Sequence, residues 1–449
     1  SGEISAGAIG GIAADGHISG SISASGRLPY VWALGDVSGN VSSGAGPTGL
    51  TSLGCISGNF TTDGNAVVHA GCGIEGDVAS SFGSAMVRSW ADVTGSVTAL
   101  GDIFVNAFGA VGGSGGGQLA AAEGSILVKA LGDVSSEIAS ATGLIVETLG
   151  TLSAPMAIAL AVTHPVLLSA FILTGGAIDV NGDVYVYSLT DVTRESIHAD
   201  GTVTITAWGN CSTDVHAGGK VAIKVRERFE GEVTTSNGTV ELQCDGFSGS
   251  ISAEGDSTDA GALAGGEGEE GEEGEQSRFE PGSISLISWG DAQLTGDVHG
   301  TRNVSILVYE SLTGSGGSAK IMAGNNAAVA VGGRSVELPV LGVAVESLGS
   351  ASVVCWGHIQ GSIVARREST VFAKGNIAAD VTVALPPGEV GHANQDATIT
   401  TWGQLTGNVT GSRHVIVFAS DGITGNILAG GKADVKTYGT ITGNIAAGD

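Results

Sequence analysis

Positive charge is what this 449-residue chain has least of: 18 Lys and Arg stand against 45 Asp and Glu, a net charge of −27. Nucleic-acid binding needs a basic footprint and an anionic membrane surface attracts one, so neither partner is expected. Charge of any sign is sparse, at 14% of residues. The outer faces must therefore be largely Ser, Thr, Asn, Gly and Ala. Such an acidic, Lys-poor surface fits an extracellular protein whose partners are cations or neutral glycans. The five cysteines show no CxxC or CxxH spacing, which argues against a structural zinc site. Cys55 and Cys72 stand one repeat apart and can meet as a disulfide on neighbouring rungs. The alternative is that all five are small buried residues. Proline is scarce, at 8 residues, and no signal peptide is visible. The chain begins inside one repeat and ends inside another, without the polar caps that solenoids normally carry. That pattern is expected of a segment of a longer protein, or of a unit that stacks end to end.

What is abundant is glycine, 76 residues of it, arranged in a phrase that returns about every 18–19 residues. An apolar residue is followed by Thr or Ser, Gly, Asn, Asp or Ser, and a second apolar residue. It reads Val37-Ser-Gly-Asn-Val41, Ile56-Ser-Gly-Asn-Phe60, Val93-Thr-Gly-Ser-Val97 and Ile423-Thr-Gly-Asn-Ile427. A fixed period of this size marks a solenoid. With 42% apolar residues the chain can fill a continuous core, which separates it from disordered Gly-rich sequence.

Strand alternation puts Ile423, Gly425 and Ile427 on one face and Thr424 and Asn426 on the other. A second strand follows in each repeat, as in Ile103-x-Val105-x-Ala107, and ends at a bulky residue plus Gly. Short strands, glycine corners and no helical period predict an all-β, single-stranded parallel β-helix over 1–449. Its regular rungs run to about 18–19 residues, with longer rungs of about 22–27 between 178 and 400. Parallel crossovers give it a right-handed expectation. Trp90, Trp208, Trp289, Trp356 and Trp402 fill the bulky slot, interchanging with Leu34, Leu53, Leu100, Leu131 and Leu149. Interchange with Leu reads as burial, so these are expected to plug the corners of the core. An exposed strip for stacking on sugars is the other reading. Thr406, Thr424 and Thr442 form one outer ladder, and Asn408, Asn426 and Asn444 a second, which stabilises the coil.

Two breaks interrupt the phrase. Residues 152–176 form an apolar run split by Pro155 and Pro165, with Ile158, Leu160 and Val162 alternating with Ala. A membrane span is considered and set aside for those reasons. The expectation is rungs whose outer face is covered, by the chain itself or by a partner, with Leu167, Phe171 and Leu173 facing that cover. Residues 254–281 carry a Gly/Glu-rich acidic stretch, expected to be a flexible loop insertion.

Chemistry is thin. Asp179, Asn181 and Asp183 copy the first three calcium ligands of an EF-hand, but Val184 and Thr190 stand where its Gly and Glu belong, so calcium binding is a weak expectation. Asp36, Asp77, Asp92, Asp102 and Asp133 offer carboxylates for polysaccharide hydrolysis, which needs two of them about 5–10 Å apart. Asp36, Asp92, Asp102, Asp133 and Asp291 follow corner glycines or their equivalents, where Asp completes turns. Lys220, Lys224, Arg226 and Arg228 lie beside Glu227, Glu230 and Glu232 and read as a solvated face.

The repeat resembles in style those of large secreted bacterial β-helix proteins, the filamentous-haemagglutinin-like adhesins and giant surface solenoids. That resemblance implies an extracellular or bacterial cell-surface structural or adhesive role. The expected body is a rod or fibre component associating end to end, through an apolar face, or with other surface proteins or glycans. The alternative is a glycan-binding or polysaccharide-cleaving β-helix that uses the loops of 178–400. No catalytic residues, cofactor or membrane span are assigned.

Overall fold

The computed structural model describes residues 2–113, 117–154, 156–158, 165–255, 280–315, 319–333, 338–384 and 395–448. Among them there is no α-helix, and the strands stack in parallel as a β-solenoid of about 21 turns. Two compact units divide the chain, Ser1–Thr213 and Asp214–Asp449.

In the first unit one rung runs from Val93. Val93 bridges Ile74 below and Val111 above. Thr94-Gly95-Ser96 turns the chain into a short strand, Val97–Ala99. A second corner leads to a five-residue strand, Ile103–Ala107, and Phe108-Gly109 makes the third. Three sides thus enclose a core no thicker than the side chains that fill it. The long strands pair in register from rung to rung: Val87 lies opposite Val105, Val105 opposite Val128 and Val128 opposite Val146. All four valines are fully buried. The long-strand sheet therefore repeats one inside/outside phase at every level.

The second unit follows the same plan. Its rungs show that the phrase Ile423-Thr-Gly-Asn-Ile427 is not one strand. Gly422–Thr424 and Ile427–Ala429 are separate strands joined by a Gly425-Asn426 corner. Gly425 has φ +139°, a conformation that L side chains rarely adopt. Regular spacing also persists where longer rungs were expected. Val184 lies opposite Val203, and Val221 opposite Val240, at the ordinary repeat length. Longer rungs do occur further on, with Val304 opposite Ala327 and Ala327 opposite Ala351, 23 and 24 residues apart, and one large insertion separates Val240 from its partner Ile284.

Glycine in the phrase is demanded by approach as well as by turning. A Cβ on Gly58 would lie 2.1 Å from the carbonyl oxygen of Gly39, and one on Gly76 2.1 Å from that of Gly58. The column of missing side chains lets successive corners nest at rung spacing.

Each corner also carries a column of side-chain acceptors. Asn40 Oδ1 accepts the Asn59 N–H at 3.0 Å, Asn59 the Asp77 N–H at 3.0 Å, and Asp77 the Ser96 N–H at 2.9 Å. At the next corner Asn65 accepts from Ser84, Ser84 Oγ from Asp102, and Asp102 from Ser125. At the third, His17 Nδ1 accepts from Asp36 and Asp36 from Cys55. That third column then becomes covalent: Cys55 and Cys72 form a disulfide across 17 residues, with Cα atoms 4.6 Å apart.

Two outcomes are expected. Reduction should release two further thiols and lower stability by about 3 kcal/mol, the loop-closure value for this span, read from the denaturation midpoint with and without reductant. Gly76→Ala should cost about 1–3 kcal/mol through overpacking, whereas Gly16→Ala, with nothing within 4 Å of its Cβ, should stay within about 0.5 kcal/mol in the same assay.

Candidate interaction surface

Alternation along the long strands decides which side chains meet solvent. In Ile103–Ala107 the first, third and fifth residues are buried, so the next residue, Phe108, points out. The bulky slot is therefore not a core plug. Trp90 is 69% exposed, Trp208 50%, Trp289 45%, Trp356 49% and Trp402 56%. The core is closed at that corner by the small residue before the slot. Where it is Ser, the hydroxyl bonds a corner carbonyl: Ser52 Oγ donates to Gly35 O at 2.7 Å and Ser89 Oγ to Cys72 O at 2.6 Å. The large buried aromatics stand elsewhere, at Phe60, Phe229 and Phe247. Leu100 belongs to a different corner, ahead of its long strand rather than after it.

Within the first unit the slot forms a continuous exposed ridge on seven successive rungs: Trp90, Phe108, Leu131, Leu149, Phe171, Leu189 and Trp208. Below Trp90 the slot holds Gly71, which leaves a gap. The outward second position of the long strands makes a parallel apolar column through Met86, Phe104, Leu127, Ile145, Leu167 and Tyr185. Between ridge and column runs a polar row, the outward fourth position. It holds His69, Arg88, Asn106, Lys129, Glu147 and Ser169. Lys129 Nζ lies 2.8 Å from Glu147, and the Arg88 guanidinium sits over the Phe104 ring. Burial, with the charge of Arg88 beside it, lowers the His69 pKa and favours its neutral form. One shallow groove lies between the row and the ridge, and a second lies on the far side of the apolar column, where Asp102 of the preceding corner also lines it. The first is lined by Phe108, Lys129, Leu131 and Leu149, the second by Phe104, Leu127, Ile145 and Leu167.

Where two aromatic rings follow one another along the ridge, they stack. Trp90 stacks on Phe108 with centroids 4.6 Å apart and planes 9° from parallel. In the second unit Trp289 stacks on Tyr309 at the same distance. Stacking covers the facing ring surfaces of each pair, while the other face of Trp90 looks onto the gap at Gly71.

The apolar segment 152–176 contributes to this surface in part. Leu167 is 39% exposed and Phe171 46%, as members of the column and the ridge. Leu173 faces inward, 1% exposed and paired with Leu152 and Val192, because it is one residue out of phase with an outward position. Leu160, Val162 and Pro155 lie outside the described residues, as does most of 254–281. Among the described residues no helix is long and apolar enough to cross a membrane. A residue that sequence reasoning missed sits beside this segment. Arg194 is 4% exposed and donates to the carbonyls of Leu152, Ala154 and Gly176. Burial pulls its pKa down to about 10. Its only sequence signal is a break in alternation within Val192–Ala199.

The other candidates resolve as structure. Asp36, Asp92, Asp102 and Asp133 accept backbone N–H groups one rung on, and so does Asp291 from Ser311. Asp183 accepts the Thr202 N–H, and Asp179 lies 3.1 Å from His198. Among the described residues no group of three or more His, Cys, Asp or Glu is placed to hold a metal. Thr406, Thr424 and Thr442 stand opposite one another on exposed positions. Asn426 N–H donates to Asn408 Oδ1 at 3.0 Å, and Asn444 N–H to Asn426 Oδ1 at 3.1 Å. No family model, curated protein or solved structure matches the chain.

A ridge and a plug differ in energetic consequence. Trp90→Ala should cost less than about 1.5 kcal/mol, the value of its stack on Phe108. Ile103→Ala, in the core, should cost about 2–5 kcal/mol. A buried Trp would lose about 3–5 kcal/mol, so urea denaturation of the two variants separates the cases.

Proposed function

We propose that the chain is a structural or adhesive module of an extracellular or cell-surface protein, in keeping with the repeat style it shares with large secreted bacterial solenoids. The observation that carries this reading is the use made of its carboxylates. Asp36, Asp77, Asp92, Asp102 and Asp133 are the acids a hydrolase would draw on, and each has Oδ1 bound to a backbone N–H of the following rung. The Cys55–Cys72 disulfide supports an oxidising compartment, since cytosolic thiols are kept reduced.

The polysaccharide-cleaving alternative has one concrete location, a groove in the second unit lined by His299, Met322, Glu346 and Arg366. Glu346 is the one carboxylate among the described residues lining it, and it is held by Lys320 Nζ at 2.7 Å. Glycoside hydrolysis through paired carboxylates has half of its machinery there.

Asp133 offers a test that separates the two roles. Asn keeps the acceptor oxygen, so Asp133→Asn should leave the denaturation midpoint nearly unchanged, while Asp133→Ala should lose about 1 kcal/mol or somewhat more. Incubated with a panel of acidic and neutral polysaccharides, the chain should release no new reducing ends. Turnover abolished by Asp133→Asn or Glu346→Gln in a stably folded protein would replace the structural reading with the enzymatic one.

A further inference from the structure

We propose that the outer long-strand face of the first unit is a homodimer interface, on which a second copy of the chain packs face to face with its rungs running in the opposite direction. Three observations carry this.

The first is charge. In a chain of net charge −27, the outward long-strand positions from Val67 to Thr206 hold a single carboxylate, Glu147, already paired with Lys129, and one further cation, Arg88. It is a face that a second acidic copy can approach without repulsion.

The second is self-complementarity. A two-fold interface requires that where one residue meets another, the second meets the first in return. Place the axis between the rungs of Lys129 and Glu147, parallel to the strands. Each Lys129 then meets the other copy's Glu147, Leu131 meets Leu149, and Phe104 meets Leu167. Counted outward on the same scheme, Trp208 of each copy arrives at the other's Gly71, the one gap in the ridge. No other axis position both pairs the two charges reciprocally and fills that gap.

The third is size. Eight rungs at about 4.8 Å, and about six residues of width, give roughly 700–800 Å² per copy, the area of a standard stable interface. Trp90 and Phe108 hold each other in place by stacking and keep about half or more of their surface exposed, which leaves apolar area for packing against Leu and Phe of a second copy.

The proposal rests on the structural reading above but fails separately from it. Sedimentation velocity of the oxidised full chain should show a dimer, and Leu131→Glu should make it monomeric. Thr61→Glu, an exposed change on the short-strand side, should leave the dimer intact. Lys129→Glu and Glu147→Lys should each weaken association at least about tenfold. Mixing these two variants should restore a heterodimer, because every cross-copy contact then joins Glu to Lys. A chain that stays monomeric at its highest soluble concentration overturns the proposal. So does a dimer indifferent to Leu131→Glu, a mixture that fails to re-associate, or a monomer that binds a polysaccharide through Leu131. Turnover of a glycan by an intact dimer would instead sink the structural reading and leave the interface standing.

Discussion

Everything in this fold depends on the chain retracing the same path at every turn. Parallel hydrogen bonds join each strand to its equivalent one rung away, so an error in corner geometry would break the register of everything stacked on it. Corners are the weak points, because there the backbone leaves the sheet and its N–H groups lose their ladder partners. The molecule answers at many corners with a side-chain acceptor bonded to the N–H directly above. Each bond contributes only about 0.5–1.5 kcal/mol net. The greater consequence is that corner positions are tied to one another and the rung length is held.

The choice of acceptor follows from electrostatics. In the first unit's ladders no aspartate sits directly on an aspartate. Asp77 follows Asn59 and is followed by Ser96; Asp92 is followed by Ala110, and Asp133 by Thr151. Two carboxylates one rung apart would repel by about 1 kcal/mol in bulk water and by about 3–4 kcal/mol at an effective dielectric of 20. Asparagine runs uninterrupted at Asn408, Asn426 and Asn444 because its amide both accepts and donates. Asn426 Nδ2 donates to Asn408 Oδ1 at 3.2 Å besides the backbone bond. The first unit thus spaces its Asp acceptors with neutral residues, whereas in the second unit Glu232 stands directly on Asp214, its N–H donating to Asp214 Oδ1 at 2.8 Å. The Cys55–Cys72 bond starts from the column of His17 and Asp36 and reaches the residue beside its next level, a covalent link where the others use hydrogen bonds.

The architecture was legible because its signal is repetition, and repetition survives ignorance of side-chain detail. Ile103, Val105 and Ala107 declare an inward face, and Thr424 and Asn426 an outward one. At the tryptophan slot composition and phase point in opposite directions, and phase decides. Leu in place of Trp suggests burial, yet alternation carried one residue past Ala107 puts Phe108 outside. Leu173 is the same conflict in reverse, an apolar residue assigned to the surface by its neighbourhood when its phase is inward. Arg194 was invisible for a different reason. Its carbonyl partners, Leu152 and Ala154, lie about 40 residues earlier, and they meet it only through the stacking of rungs that no local pattern encodes.

The exposed ridge follows from the same corner geometry. A solenoid corner has to place a residue outward directly after a small inward one, and any side chain there is stacked on its equivalents above and below. The second unit admits Arg226, Asp245 and Lys374 in that slot, but the first unit's seven rungs from Trp90 to Trp208 hold apolar side chains throughout. An apolar one gains contact with its neighbours, as Trp90 does with Phe108. Stacking along the ridge thus stabilises the single chain first, and the exposed strip is its by-product. Such a strip, on a face whose single outward carboxylate, Glu147, is paired with Lys129, is already most of what a second copy needs. In this fold, rung-to-rung stability and lateral association draw on one column of residues.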